Sequence, residues 1–147
     1  MNIYRLQYNE KHQALEIYLS GCKSPHCQGC HNSSLWGFNA GDDWETWKAK
    51  FYQYDSDMVK NYFIMGGCPI DQDIVQLENL LIFISSFHKS IMLWTRYGLD
   101  KVPKNILQHL DYIKTGEYQC DSESYEEPLF GIKLSSKNQS IHTVKVL

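Results

Sequence analysis

Three cysteines, Cys22, Cys27 and Cys30, fall within nine residues in the spacing Cys-x4-Cys-x2-Cys. Thiolates bunched this closely, in a chain that reads as intracellular, point to a metal before they point to disulfides. The number three is informative. A structural tetrahedral zinc takes four ligands, whereas a cluster or an open metal site needs only three. Zinc stays open at this level, with His26, His31, Cys68 or Cys120 available as a fourth ligand.

An iron–sulfur cubane held by three thiolates keeps one iron for an external ligand that chelates through an amine and a carboxylate, as the methionyl end of S-adenosylmethionine does. A second motif suits such a ligand. Gly66-Gly67-Cys68-Pro69 allows close backbone approach, and its carbonyls can accept hydrogen bonds from an ammonium group. An ordinary strand-to-helix turn would use the same residues.

Both motifs must be positioned by regular elements. Ala14–Ser20 alternates, with Leu15, Ile17 and Leu19 on one face, and predicts a strand that runs straight into the cysteine loop. A helix is expected from Asp43, with Trp44, Trp47, Phe51 and Tyr54 at helical spacing. Asn61–Met65 reads as a strand buried on both faces, followed by a helix over about Asp71–Phe87 with Ile74, Leu77, Leu81, Ile84 and Phe87 inward. Ile91–Trp94 is a further strand, ended by Thr95-Arg96-Tyr97-Gly98. Pro103 opens a short helix, and Tyr112–Lys114 is a short last strand of the series. Residues 1–12 carry little signal, 117–128 read as an acidic surface loop, and the stretch from Leu129 to Val146 is only strand-like. Strands alternating with helices predict an α/β fold, an incomplete (βα) barrel of about four to five parallel strands with helices outside, forming one domain over residues 1–147. In such folds the loops after the strands share one rim. The cysteine loop, Gly66–Pro69, Thr95–Gly98 and Thr115–Tyr118 all fall there.

The net charge of -3 and the lack of a basic run mark no nucleic-acid or anionic-membrane surface. Residues 1–11 are polar and charged and are not expected to form a secretory leader, and no apolar run approaches the roughly 18 residues of a membrane span. Five cysteines cannot all pair, and a reducing, cytoplasmic setting is expected. Aromatic residues make up 14%, which suits either a bulky core or a partner surface. Trp36, Trp44 and Trp47 follow the cysteine loop and could shield it from water, or simply pack.

Taken in order, the motifs resemble a family. Ser20-Gly21-Cys22 leading to Cys27-x-Gly29-Cys30-His31-Asn32, then Ser33–Trp36, Gly66-Gly67-x-Pro69, Leu93-Trp94-Thr95-x-Tyr97, Asp111-Tyr112-Ile113 with Gly116, and Ser135-Ser136-x-Asn138-Gln139 are similar to radical S-adenosylmethionine enzymes. Among these they resemble the activating proteins of the anaerobic (class III) ribonucleotide reductase. The resemblance implies a 4Fe-4S cluster on Cys22, Cys27 and Cys30, reductive cleavage of S-adenosylmethionine, and hydrogen abstraction from a glycine of the partner reductase, which then stores a glycyl radical. It implies Gly66 and Gly67 for the methionine moiety, with Asn32, Thr95, Arg96 and Tyr97 at the pocket rim. It also implies an external electron donor such as a flavodoxin or ferredoxin. Two residues depart from the family pattern. The first cysteine gap holds four residues, Lys23–His26, where three are usual, and Cys68 stands where an acid usually follows the glycines. A radical enzyme with another substrate, or a non-catalytic metal-binding adaptor, are the alternatives.

Overall fold

The computed structural model describes residues 1–124, 126–127 and 129–146, with the backbone alone at 146. Strands β1 (Asn2–Asn9) and β2 (Ala14–Leu19) form an antiparallel hairpin, and β3 (Asp42–Asp43) pairs with the start of β1. Helix α1 (Trp44–Tyr54) leads to β4 (Asn61–Gly66), α2 (Ile74–Ser85) to β5 (Ser90–Trp94), and α3 (Lys104–Leu107) to β6 (Tyr112–Thr115); β7 (Ser140–Thr143) closes the order. All seven strands form one sheet in the order β3-β1-β2-β4-β5-β6-β7.

The sheet is mixed and open. β2, β4, β5 and β6 are parallel, as the alternation of strand and helix requires, while β1, β3 and β7 join antiparallel outside them. This corrects the all-parallel expectation. Only residues 10–13 link β1 to β2, far too few for a crossover, so that pair must be antiparallel. β1 escaped the alternation test because its register shifts between Ile3 and Arg5, which puts Ile3 and Leu6, three apart, on the same buried side. The strand-like C-terminal stretch contributes only β7, paired with β6. Tyr125 and Pro128, within the predicted acidic loop, lie outside the described residues.

The helices cover one face. Leu15, Ile17, Leu19, Tyr62, Ile64, Ile91, Leu93 and Ile113 from the sheet pack against Phe51 of α1, Leu77, Leu80, Leu81 and Ile84 of α2, and Ile106 of α3. Each fully buried aliphatic side chain here contributes about 1.5–3 kcal/mol. Asp43 and Asp73 cap α1 and α2 through bonds from Glu45 N (2.9 Å) and Gln76 N (3.0 Å). The second helix therefore starts at Ile74 and not at Asp71, which is left in a 3-10 turn over Pro69–Asp71. The opposite sheet face carries a smaller cluster of Ala14, Phe63 and Met92 under Ile132, and is otherwise concave and open. No helix among the described residues is long and apolar enough to cross a membrane.

Candidate functional site

A cavity of about 410 Å³ occupies that open face at the C-terminal ends of β2, β4, β5 and β6. Cys22, Cys27, Cys30 and Asn32 line it from the loop after β2, Gly66, Gly67 and Cys68 from the end of β4, and Thr95 and Arg96 from the loop after β5. Gly116, Tyr118 and Gln139 line the side beyond β6, where the loop after Tyr112–Lys114 was expected to join the rim. Tyr97 is not a lining residue. Its hydroxyl donates instead to Asp71.

The cysteine loop is closed at its base by two backbone bonds, Gly21 N to Leu35 O (2.8 Å) and Cys22 N to Trp36 O (2.9 Å). Cys22 is buried and Cys27 and Cys30 are half-buried, and Asn32 N donates to Cys30 Sγ at 3.4 Å. Burial pushes the Cys22 thiol up to about 12 and raises that of Cys27, while the Arg96 guanidinium opposes both shifts. Such thiols ionise only against a strong positive charge, as metal coordination provides. Among the described residues no three His, Cys, Asp or Glu side chains are gathered closely enough for a single ion. Three thiols lining one cavity are the donor chemistry that a 4Fe-4S cluster would take, and Cys22, Cys27 and Cys30 would hold it. Trp36 also lines the cavity, with a buried Nε1 that has no partner among the described residues. Trp44 and Trp47 pack in the helical layer instead, away from the cysteines.

The Gly66-Gly67 pair has a structural cause that the sequence did not show. Beyond β4 the chain keeps bonding to the segment leaving β2, through Gly67 N to Leu19 O (2.8 Å) and Cys68 N to Gly21 O (3.0 Å). A Cβ on Gly66, whose φ is +107°, would lie 2.4 Å from Leu19 O, and one on Gly67 would lie 2.3 Å from Gly21 O. The glycines let the two motif-bearing segments touch, which brings the Gly-Gly backbone to the cysteine loop. Cys68 is buried, with its Sγ 3.2 Å from Thr95 Oγ1. Cys120 is exposed and packs against Gly29, outside this cavity.

Asp71 and Arg96 act as a clamp on the extra residue of the loop. Asp71 is 4% exposed and accepts from Lys23 N (2.9 Å), Arg96 Nη2 (3.0 Å) and the Tyr97 hydroxyl. Arg96 also donates to the carbonyls of Lys23 and Pro25. On the other side His26 stacks on Trp36, with ring centroids 4.1 Å apart, and its Nε2 shares a 2.7 Å hydrogen bond with Cys22 O. Lys23, Pro25 and His26 of the four-residue gap are thus each held. Asp71 was missed because it reads as a helix start.

The cavity floor is the inner sheet face, where Phe63, Met65 and Trp94 lie between two buried charged residues, Glu16 on β2 and Lys114 on β6. Neither was anticipated as a site residue. The available signal was a lysine inside a run that otherwise reads as a buried strand.

Residues 13–142 match the model of a family described as 4Fe-4S single cluster domain. The chain is similar to the anaerobic ribonucleoside-triphosphate reductase-activating protein of Haemophilus influenzae, with 28% identity over 142 residues that cover 88% of this chain and 87% of the relative. It is also similar to the crystal structure of Streptococcus suis SuiB, at 21% identity and a TM-score of 0.47, over 69% of this chain and 23% of that one, a likeness too slight to carry weight. The family match runs from the turn before β2 into β7 and takes in the cysteine loop, both glycines and the clamp; the chain belongs to the 4Fe-4S single cluster domain family.

Proposed function

We propose that this protein is a glycyl-radical activating enzyme of the radical S-adenosylmethionine type, acting on an anaerobic ribonucleotide reductase. One observation carries the reading: Cys22, Cys27, Cys30 and the Gly66-Gly67 backbone line a single cavity at the rim of the parallel strands. The three thiolates would hold a 4Fe-4S cluster, and the Gly66 and Gly67 carbonyls would receive the ammonium of the methionyl group, since Cys68 offers no carboxylate there. Bound together, cluster and cofactor supply reductive cleavage of a C–S bond and the hydrogen abstraction that follows. The chain's own residues position and shield. Asp71 and Arg96 hold the loop, Asn32 and Thr95 stand at the rim, and Trp36, Met65 and Trp94 exclude water. The open inner face, an incomplete barrel in this reading, would admit a glycine-bearing loop of the partner. The partner itself is inferred from the Haemophilus relative's name. A flavodoxin- or ferredoxin-like protein would deliver the electron.

Anaerobic reconstitution tests this. About four iron and four sulfide per chain are expected, with 5′-deoxyadenosine released under dithionite and a glycyl-radical signal by electron paramagnetic resonance once the reductase is added. Stoichiometric zinc without cofactor cleavage would overturn the reading, and cleavage without a radical on the reductase would overturn the choice of partner. Cys27→Ala is expected to lose the iron and Cys120→Ala to keep it; equal loss in both would remove the three-ligand assignment.

A further inference from the structure

Glu16 has no part in the function proposed above, yet its setting asks for a ligand. Along β2, Leu15, Ile17 and Leu19 face the helices, so Glu16 and Tyr18 take the open face. Glu16 is registered between Gln7 of β1 and Phe63 of β4, is only 8% exposed and lines the cavity. Its carboxylate accepts two hydrogen bonds, both long and both from neutral groups, the Tyr18 hydroxyl at 3.3 Å and Asn9 Nδ2 at 3.4 Å. Charge-assisted bonds to a carboxylate are shorter, about 2.5–2.9 Å. The ion pairs of the described residues use Asp55, Asp71, Glu78 and Asp111, and not Glu16. Lys114, the buried cation of the same cavity, sits three strand spacings away in the order β2-β4-β5-β6, roughly 14 Å at about 4.8 Å each, too far to pair. Arg5 lies over the Tyr18 ring, 4.6 Å from its centroid, and Lys11 donates to Gly131 O. A buried carboxylate without a counter-ion is a standing cost to the fold. A glutamine would accept the same two bonds with no charge to desolvate. An acid kept there, facing a cavity, is explained by a cation that arrives with the ligand.

The register also says where that cation comes from. Glu16 lies opposite Phe63, and Leu19 opposite Gly66, so Glu16 sits three residues deeper than the Gly-Gly backbone, roughly 10 Å at about 3.3 Å each. A methionyl ammonium held at Gly66 and Gly67 is out of its reach. The hollow also continues past Glu16. A second cavity of about 340 Å³, toward the N-terminal ends of the strands, shares Lys11, His12 and Phe63 with the first and runs on to Ser90 and Tyr112. A trough of that length, entered from the rim, suits an extended polypeptide. We propose that Glu16 is a specificity-determining residue, its carboxylate pairing with an arginine or lysine side chain on the polypeptide loop that enters the cavity. The proposal deepens the activase reading and rests on it for the owner of that loop, the glycine-bearing loop of the reductase. The pairing returns to Glu16 the stabilisation that burial removed, and the low-dielectric surroundings strengthen it.

The first arm of the test does not depend on the partner. The cluster-loaded, isotope-labelled protein is titrated anaerobically with methylguanidinium chloride, with uncharged methylurea as the control, and its backbone amides are followed by nuclear magnetic resonance. Methylguanidinium alone is expected to shift the Glu16 and Phe63 signals, and Glu16→Gln to abolish that shift. No shift, or one that Glu16→Gln keeps, overturns the proposal. The second arm is equilibrium binding to the anaerobic reductase. Glu16→Gln, which keeps the size of the side chain and can accept both existing bonds, is expected to lose about tenfold or more in affinity, and Glu16→Asp to keep part of it. Neutralising each arginine and lysine of the reductase's glycine-bearing loop in turn then finds the counter-ion, because beside that change Glu16→Gln costs nothing further. Undiminished affinity for the reductase overturns the proposal, as does a loss that adds in full to every neutralisation. A tenfold loss of affinity for S-adenosylmethionine would give the cation to the cofactor and overturn the pairing with the partner. A wild-type protein that binds no reductase sinks the activase reading, while the methylguanidinium arm still decides whether Glu16 holds a cation.

Discussion

Arg96 donates to the Lys23 and Pro25 carbonyls, to Asp71 and to the Tyr97 hydroxyl, so one guanidinium holds two points of the cysteine loop against a buried carboxylate. Removing one member of such a buried pair strands the other, at a cost of about 3–5 kcal/mol. Because the loop depends on the clamp more than the helical layer does, Arg96→Ala is expected to lower iron retained per chain more sharply than it lowers helix content by circular dichroism. Arg96→Lys should retain less than wild type, since a lysine cannot fork to four partners. Lys114 makes a prediction of opposite sign. Its pKa falls from the ordinary 10.5 to about 8 on folding. Below pH 8 both folded and unfolded chains carry the proton, and the full penalty of roughly 3 kcal/mol applies. Between about pH 8 and 10.5 the folded protein releases it first, so stability rises with pH. Lys114→Met should therefore be more stable than wild type at pH 7 in urea melts, with the gap closing by about pH 10.5. A gap that stays constant with pH would mean that packing, and not charge, sets it.

Between elements, the decisive contact is the one where the segments leaving β2 and β4 touch at Gly21 and Gly67. The atoms that a Cβ on Gly67 would meet are backbone atoms of Gly21, and these cannot swing aside. Gly67→Ala should destabilise the fold by about 2 kcal/mol or more through enforced backbone shift, visible as a lower Tm, and should displace the loop whose base it pushes. Most elements were legible because their cause is local. The alternation of β2, the apolar runs of β4 and β5 and the stripe of α2 each reflect one face packing on one layer. β1 was not legible, because a register shift breaks its period, and β7 was not, because it is held by partners 25 to 31 positions away.

At the scale of the molecule, the sheet separates two tasks. Its helical side holds the large core, to which no residue of the cysteine loop contributes, and its open side holds the cavity. Small domains whose only core is a metal unfold without it. Here, iron removal with a chelator should leave the thermal transition of the helical layer largely in place, while amide exchange rises over residues 21–36. Global unfolding on chelation would show that the cluster, and not the core, carries the fold.

What the sequence determined by itself was the chemistry available: three thiols in a short loop, two glycines after a buried strand, and the order of strands and helices that sends both to the same rim. These follow from composition and short-range periodicity, which neighbouring residues settle among themselves. What only the tertiary structure decided was which residues hold that loop and which charges stand unpaired. Asp71 and Arg96 are 25 residues apart and meet only once β4 and β5 lie side by side. Lys114 became a buried, solitary ammonium only when Trp94 and Ile141 flanked it and Glu16 was placed three strands away. Long-range pairing, not residue type, decides whether a charge is compensated.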